Sequence, residues 1–427
     1  MSKTFRVTYV LTLAKDESPA ERILALQLEQ SAELPDTVVG YLGMDRVKGI
    51  VTRQEELDER HLQVTIAWPR SNHGGEITQF LNLLFGNISM KQGIAIVDIA
   101  WEDVHPELFC GPAWGISRIR NEWAVPRRAL SCTAIKPMGF DTLQLADLTF
   151  RFALGGIDII KDDHGLADQP SAPFLDRVKA CVRAVDQAAQ KSGRRSRYFP
   201  NITTDPQKVS ERYEMAAELG ADGVLLTPML TGPALMHHLA RSPVDLPIIA
   251  HPAFSGSFIA HNHGCPFHYK LSSEYPSPGH PSSGTPSSGH PTSVTEIPAK
   301  NDNDRNIPEI GTSDSLLLSH GFDAALFYGA LYRALGADFV IYPNTGGRFA
   351  FQPDTCEAIN NMLRRTDLPF SSSFPTPGGG MKRDRMSHWL RTYGPDTTFL
   401  IGGSLYEHPD GIESASRAFM ECITDIP

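Results

Sequence analysis

At 427 residues, 41% hydrophobic, 21% charged and with a formal net charge of −10, the chain is long enough for two domains of the usual ~100–200 residues and has no basic block that would mark a nucleic-acid footprint. Its apolar runs are too short to span a bilayer. The six cysteines (Cys110, Cys132, Cys181, Cys265, Cys356, Cys422) have no CxxC spacing, so they read as reduced thiols of a cytoplasmic protein rather than a disulfide or zinc frame.

The chain opens with an alternating strand from Phe5 in "TFRVTYVLTL", not with a signal or transit segment. Further alternating stretches at 62–68 and 93–101 flank two helical patterns, at 19–31 and 76–86. Residues 1–125 therefore predict a smaller α+β (ferredoxin-like) N-terminal domain.

After Pro126 the rhythm changes to short apolar strands, each followed by a turn and a helical stretch. Eight such strands end near Lys136, Lys161, Asn201, Thr227, His251, Pro343, Pro377 and Gly402. Most intervals are about 25–40 residues, the length of a strand plus its crossover helix, which predicts an α/β fold, a (β/α)8 TIM barrel over 126–427. A doubly wound sheet is the alternative. Between His251 and Pro343 the rhythm breaks around "GHPSSGTPSSGHPTS". That composition buries too little apolar surface to offset ordering entropy, so 264–314 is expected to be a disordered insertion.

In such a barrel, catalytic side chains gather at the C-terminal strand ends. There "GGIDIIKDDHGLADQ" (155–169) closes an apolar strand with Lys161, Asp162, Asp163 and His164. Taken alone, a lysine beside carboxylates reads as a buried ion pair. Its companions favour a site. Lys136, in "TAIKPMGF", holds the same place one strand earlier, and two neighbouring cations suit an anionic substrate and a basic role. Asp163 offers the hard oxygen that Mg2+ prefers. A neutral Lys161 amine could take up CO2 and become an oxygen ligand itself. His164 and His251, the latter ending the fifth strand in "IIAHPAFSG", are acid/base, ligand or purely structural groups.

Two glycine clusters follow the last two strands: Gly378 and Gly379 in "PTPGGGMKRD", Gly402 and Gly403 in "LIGGSLYEHPDG". Barrels build phosphate sites there from backbone N–H groups. With no Walker or GxGxxG pattern, a sugar phosphate is favoured over a nucleotide.

Together these residues resemble the large subunit of ribulose bisphosphate carboxylase, and more closely the RuBisCO-like proteins that share its fold but not its reaction. "GGIDIIKDDHG" looks like the family's metal-site motif, "AIKPMG" like its first catalytic-lysine motif and "EQSAELP" like its N-terminal acidic motif. The resemblance implies a Mg2+ site of carbamylated Lys161, Asp163 and His164, with Lys136 acting on the enolising carbon and His251 as the strand-five histidine. It implies phosphate and substrate contacts from Asn201, Arg348, Gly378, Gly379, Gly402 and Gly403. It also implies a head-to-tail homodimer in which Glu29 reaches into the neighbour's barrel.

The departures argue against carbon fixation. His164 stands where a carboxylase has a glutamate ligand, Met138 where it has a second lysine, Pro252 where it has an arginine, and Arg348 near its loop lysine. Enolisation of a phosphorylated ketose-type sugar, by an isomerase, enolase or decarboxylase, is the expected chemistry. A catalytically silent scaffold or regulator is the alternative.

Overall fold

The computed structural model describes residues 3–104, 107–125, 128–260 and 320–424. The expected insertion at 264–314 lies outside the described residues. The first sheet is built from β1 (Thr4–Thr12), β2 (Ile50–Glu56), β3 (His61–Pro69) and β4 (Ile94–Ile99). β1 pairs antiparallel with both β3 and β4, and β2 lies outside β3. Alternation in β1 puts Phe5, Val7, Tyr9 and Leu11 on one face, each fully buried. Against them pack Ile23 and Leu26 of the helix Pro19–Glu29 and Phe80, Leu83 and Leu84 of the helix Ile77–Phe85. The first helix starts where it does because Ser18 and Glu21 form a reciprocal capping box with Pro19 at the first helical position. β2 escaped the sequence reading because it is an edge strand exposed along nearly its whole length, so burial imposes no alternation on its residues.

The barrel strands are β5 (Leu130–Ile135), β6 (Ile159–Asp162), β7 (Arg197–Phe199), β8 (Val224–Leu226) and β9 (Ile248–Ala250). The chain then contributes β10 (Gly321–Phe322) to the first sheet, parallel to β4, before β11 (Phe339–Pro343), β12 (Phe374–Gly378) and β13 (Thr398–Ile401) return to the barrel. The order is β7-β6-β5-β13-β12-β11-β9-β8, all parallel. The parallel bridge Asn201↔Leu225 joins the two ends and closes the ring. A doubly wound sheet would leave the first and last strands at a distance. Here they are neighbours, Thr398 opposite Leu130.

Strand parity sorts the side chains. Cys132, Ile159, Phe199, Leu225, Ile249, Phe339 and Phe374 fill the lumen, while Ile160 and Ala250 belong to the layer under the outer helices. The helix Gly115–Trp123 closes the N-terminal end, contributing Ile116 and Ile119 to the lumen cluster. Asp338, just before β11, fixes it by accepting from the Trp114 and Gly115 N–H groups. The other end of the lumen is left for polar residues.

Candidate active site

Counting by twos from the lumen residues gives the site. On β5, Leu130 and Cys132 are followed on the same face by Ala134 and Lys136; on β6, Ile159 by Lys161 and Asp163; on β9, Ile249 by His251. Asp162 has the opposite parity. It is fully buried on the outer face, where Arg177 Nε donates to it at 3.1 Å, the Tyr198 hydroxyl at 2.6 Å and the Asn201 backbone N–H at 2.9 Å. The sequence thus presents two adjacent aspartates with separate tasks, one holding the wall and the other facing the mouth.

Lys161 is 2% exposed, and its Nζ donates to the Asp162 carbonyl at 3.1 Å. Burial depresses its pKa, and the nearby charge of Lys136 adds to that, while Cys132 and Asp163 work the other way. Lys136 Nζ lies 3.2 Å from Asp163 Oδ1, and His164 Nδ1 lies 3.5 Å from Asp163 Oδ2. Burial works against the Asp163 charge, but the His164 hydrogen bond and the charges of Lys161 and Lys136 outweigh it, holding this carboxylate well below the usual range. The His164 and His251 rings stack with centroids 4.4 Å apart. His251 Nδ1 accepts from the Ala253 N–H at 3.1 Å, and burial followed by the Lys161 charge keeps the imidazole neutral. Its proton therefore resides on Nε2, which makes it a donor.

These groups suit a divalent ion in part. Among the described residues no three His, Cys, Asp or Glu side chains form a ready-made metal cluster. Asp163 and His164 supply two donors, and a third comes only if the Lys161 amine takes up CO2 to present oxygen.

The glycine turns sit at the mouths of the two strands that follow. A Cβ on Gly402 or Gly403 would meet open space, whereas one on Gly380 would fall 2.3 Å from the Gly346 backbone carbonyl. The turn after β12 and the loop after β11 are therefore in backbone contact, and Arg348, on that loop, is exposed. Asn201 is 1% exposed, with its amide nitrogen donating to the His164 and Leu166 carbonyls at 3.0 and 2.9 Å. Its amide shapes the loop that carries His164. Glu29 ends a helix of the first sheet's domain, where Asn87 Nδ2 donates to it at 3.1 Å and Lys91 lies 3.8 Å away. A cleft of about 570 Å3 opens between Ala167–Pro170, Thr203–Asp205, Arg212 and Leu230, and none of Lys136, Lys161, Asp163, His164 and His251 lines it. Arg212 is already paired there with Asp168.

Sequence reasoning missed Tyr406, whose hydroxyl donates to the Ala134 carbonyl at 2.9 Å and accepts from the Lys136 N–H at 3.1 Å. Nothing local in "GGSLYEH" points to partners some 270 positions away. The Arg177 clamp was equally hidden, although parity along β6 would have singled out Asp162.

Residues 115–269 match the family model described as ribulose bisphosphate carboxylase large chain, catalytic domain. The chain is 31% identical, over 99% of its length and 97% of the relative's, to the 5-methylthioribulose-1-phosphate isomerase of Rhodospirillum rubrum. It is 29% identical, over 97% of its length and 91% of the relative's, to the 2,3-diketo-5-methylthiopentyl-1-phosphate enolase of Bacillus pumilus. A solved structure of a RuBisCO-like protein from Rhodopseudomonas palustris superposes with a TM-score of 0.77 at 28% identity, covering 100% of this chain and 99% of that one. No helix among the described residues is long and apolar enough to cross a membrane.

Proposed function

The chain belongs to the RuBisCO-like proteins of the ribulose bisphosphate carboxylase large-chain superfamily, and on that premise we propose that it enolises a phosphorylated ketose-type sugar with a divalent metal and does not fix CO2. The observation that carries this reading is the convergence of Lys136, Lys161 and Asp163 at the same strand ends, with Lys136 paired to Asp163 at 3.2 Å. The names of the isomerase and enolase relatives, both specifying methylthio-substituted phosphorylated substrates, support the substrate class.

Mg2+ held by Asp163, His164 and carbamylated Lys161 would supply the Lewis acidity that stabilises an enediolate. The rest belongs to this chain. Lys136 removes the proton alpha to the carbonyl, since its amine reaches into the mouth from a strand adjacent to the metal ligands. His251 holds a proton on Nε2 and offers it to the developing oxyanion. His164, half exposed and stacked on His251, is kept for the metal, and where the net reaction is isomerisation His251 returns the proton. Gly378, Gly379, Gly402 and Gly403 offer backbone N–H groups to the phosphate, and the space above Gly402 and Gly403 suits one. Arg348 adds positive charge from the loop after β11.

We also propose a head-to-tail homodimer with Glu29 facing the partner's barrel. The exposed apolar side chains Leu34, Val38, Tyr41 and Leu42, just beyond Glu29, support it. Five described cysteines are free thiols, which suits work in the reducing cytoplasm.

The test is proton exchange into solvent, followed by NMR on a panel of ketose phosphates, with and without Mg2+ and bicarbonate. Wild type should exchange a methylthio-ketose phosphate, and Lys136→Ala should not. No exchange in wild type, or unimpaired exchange in Lys136→Ala, would favour a silent scaffold. Calorimetry with Mg2+ should give a bicarbonate-dependent signal that Lys161→Ala abolishes.

A further inference from the structure

Tyr406 lies on the loop leaving β13, and its ring packs edge-on against Phe152 at 5.5 Å. β5 and β13 pair only as far as Thr133↔Ile401. Beyond that rung β5 outruns its neighbour, and the two groups left facing that side are the Ala134 carbonyl and the Lys136 N–H. The Tyr406 hydroxyl satisfies both, at 2.9 and 3.1 Å. It replaces the missing ladder partner at the point where the lysine leaves the strand.

We infer that Tyr406 is the positioning residue for Lys136, fixing the backbone on both sides of Ile135 so that the amine projects toward Asp163. The inference rests on the reading of Lys136 as the group that acts on the enolising carbon. The loop that carries Gly402 and Gly403 is then also the loop that aims the base. Side chains at reacting centres are sensitive to such support, since a shift of about 1 Å can cost roughly 100-fold in rate.

Tyr406→Phe keeps the ring and its contact with Phe152 and deletes only the hydroxyl. In the proton-exchange assay its kcat should fall about ten-fold or more with KM changed less than about two-fold, the split expected for an interaction that serves the reacting state alone. Thr133→Val is the control: it removes a buried bond between the same two strands, Thr133 Oγ1 to the Ile401 carbonyl at 2.9 Å, without touching Lys136. It should lower Tm by an amount similar to Tyr406→Phe and leave kcat at the wild-type value. A wild-type kcat in Tyr406→Phe, or an equal loss of kcat in Thr133→Val, overturns the positioning role. Exchange retained in Lys136→Ala overturns the base assignment and this inference together, and an inactive Lys136→Ala beside a fully active Tyr406→Phe overturns the positioning role alone.

Discussion

Lys136 Nζ and Asp163 Oδ1 lie 3.2 Å apart, joined across the mouths of β5 and β6. The same carboxylate faces His164 through its other oxygen, so the candidate metal ligand is already engaged by a cation of the chain itself. A divalent ion must therefore compete with the lysine for Asp163. Removing the lysine removes the competitor, and Lys136→Met should bind Mg2+ or Mn2+ tighter, by about 2- to 5-fold for an ion pair of this partly exposed kind, while losing proton exchange. Calorimetry measures it, and weaker binding in Lys136→Met would mean the amine supports the ion instead of opposing it.

The two adjacent aspartates should separate cleanly. Among the described residues Asp162 is the sole carboxylate paired with the fully buried Arg177, and Asp162→Asn would leave that guanidinium without its counter-charge, at a cost of about 3–5 kcal/mol. Asp163→Asn should change stability by well under half of that and abolish metal binding. Urea titrations beside metal calorimetry on both variants decide it, and equal destabilisation would contradict the division of labour between the two faces of β6.

Gly380 has φ +67°, and an added Cβ there would meet the Gly346 backbone at 2.3 Å. Backbone cannot step aside as a flexible side chain can. Gly380→Ala should therefore push apart the loop after β11 and the turn after β12, costing about 1–3 kcal/mol and exposing residues 344–350 to limited proteolysis. Gly403→Ala, whose Cβ enters open space, should keep Tm and raise KM for the phosphorylated substrate. Unchanged proteolysis in Gly380→Ala would show that the contact carries no constraint.

His237 is 9% exposed, lies edge-on to Phe109 at 6.3 Å, and its Nε2 is buried with no hydrogen-bond partner among the described residues. Burial, aided by the charge of Arg241, lowers its pKa from 6.5 to about 4. With the folded value below the unfolded one, this residue costs nothing above pH 6.5. As pH falls from 6.5 toward 4 the unfolded chain takes the proton first, and up to about 3 kcal/mol of stability is lost. His237→Phe should flatten that acid limb in denaturation curves at pH 4.5 and 7. An unchanged slope would show that the imidazole already protonates in the folded state.

The barrel was legible because its signals are local. Apolar runs at strand-plus-helix spacing need only neighbouring residues to be recognised, and eight of them leave a closed ring as a compact way to cover every edge. The helices at 19–31 and 76–86 were legible for the same reason, through amphipathic spacing. β2, exposed at an edge, had no such pattern to show.

Composition, period and motif by themselves determined the fold class, the two-sheet plan and the candidates Lys136, Lys161, Asp163, His164 and His251, because all five stand at the C-terminal ends of barrel strands, which open on one rim. Tertiary structure alone decided that Asp162 belongs to Arg177, that the Asn201 amide holds the loop carrying His164, and that Tyr406 completes the end of β5. Each of those bonds joins groups that strand parity or local pattern does not bring together, and a hydrogen bond depends on distance and direction in space, which only the closed barrel supplies.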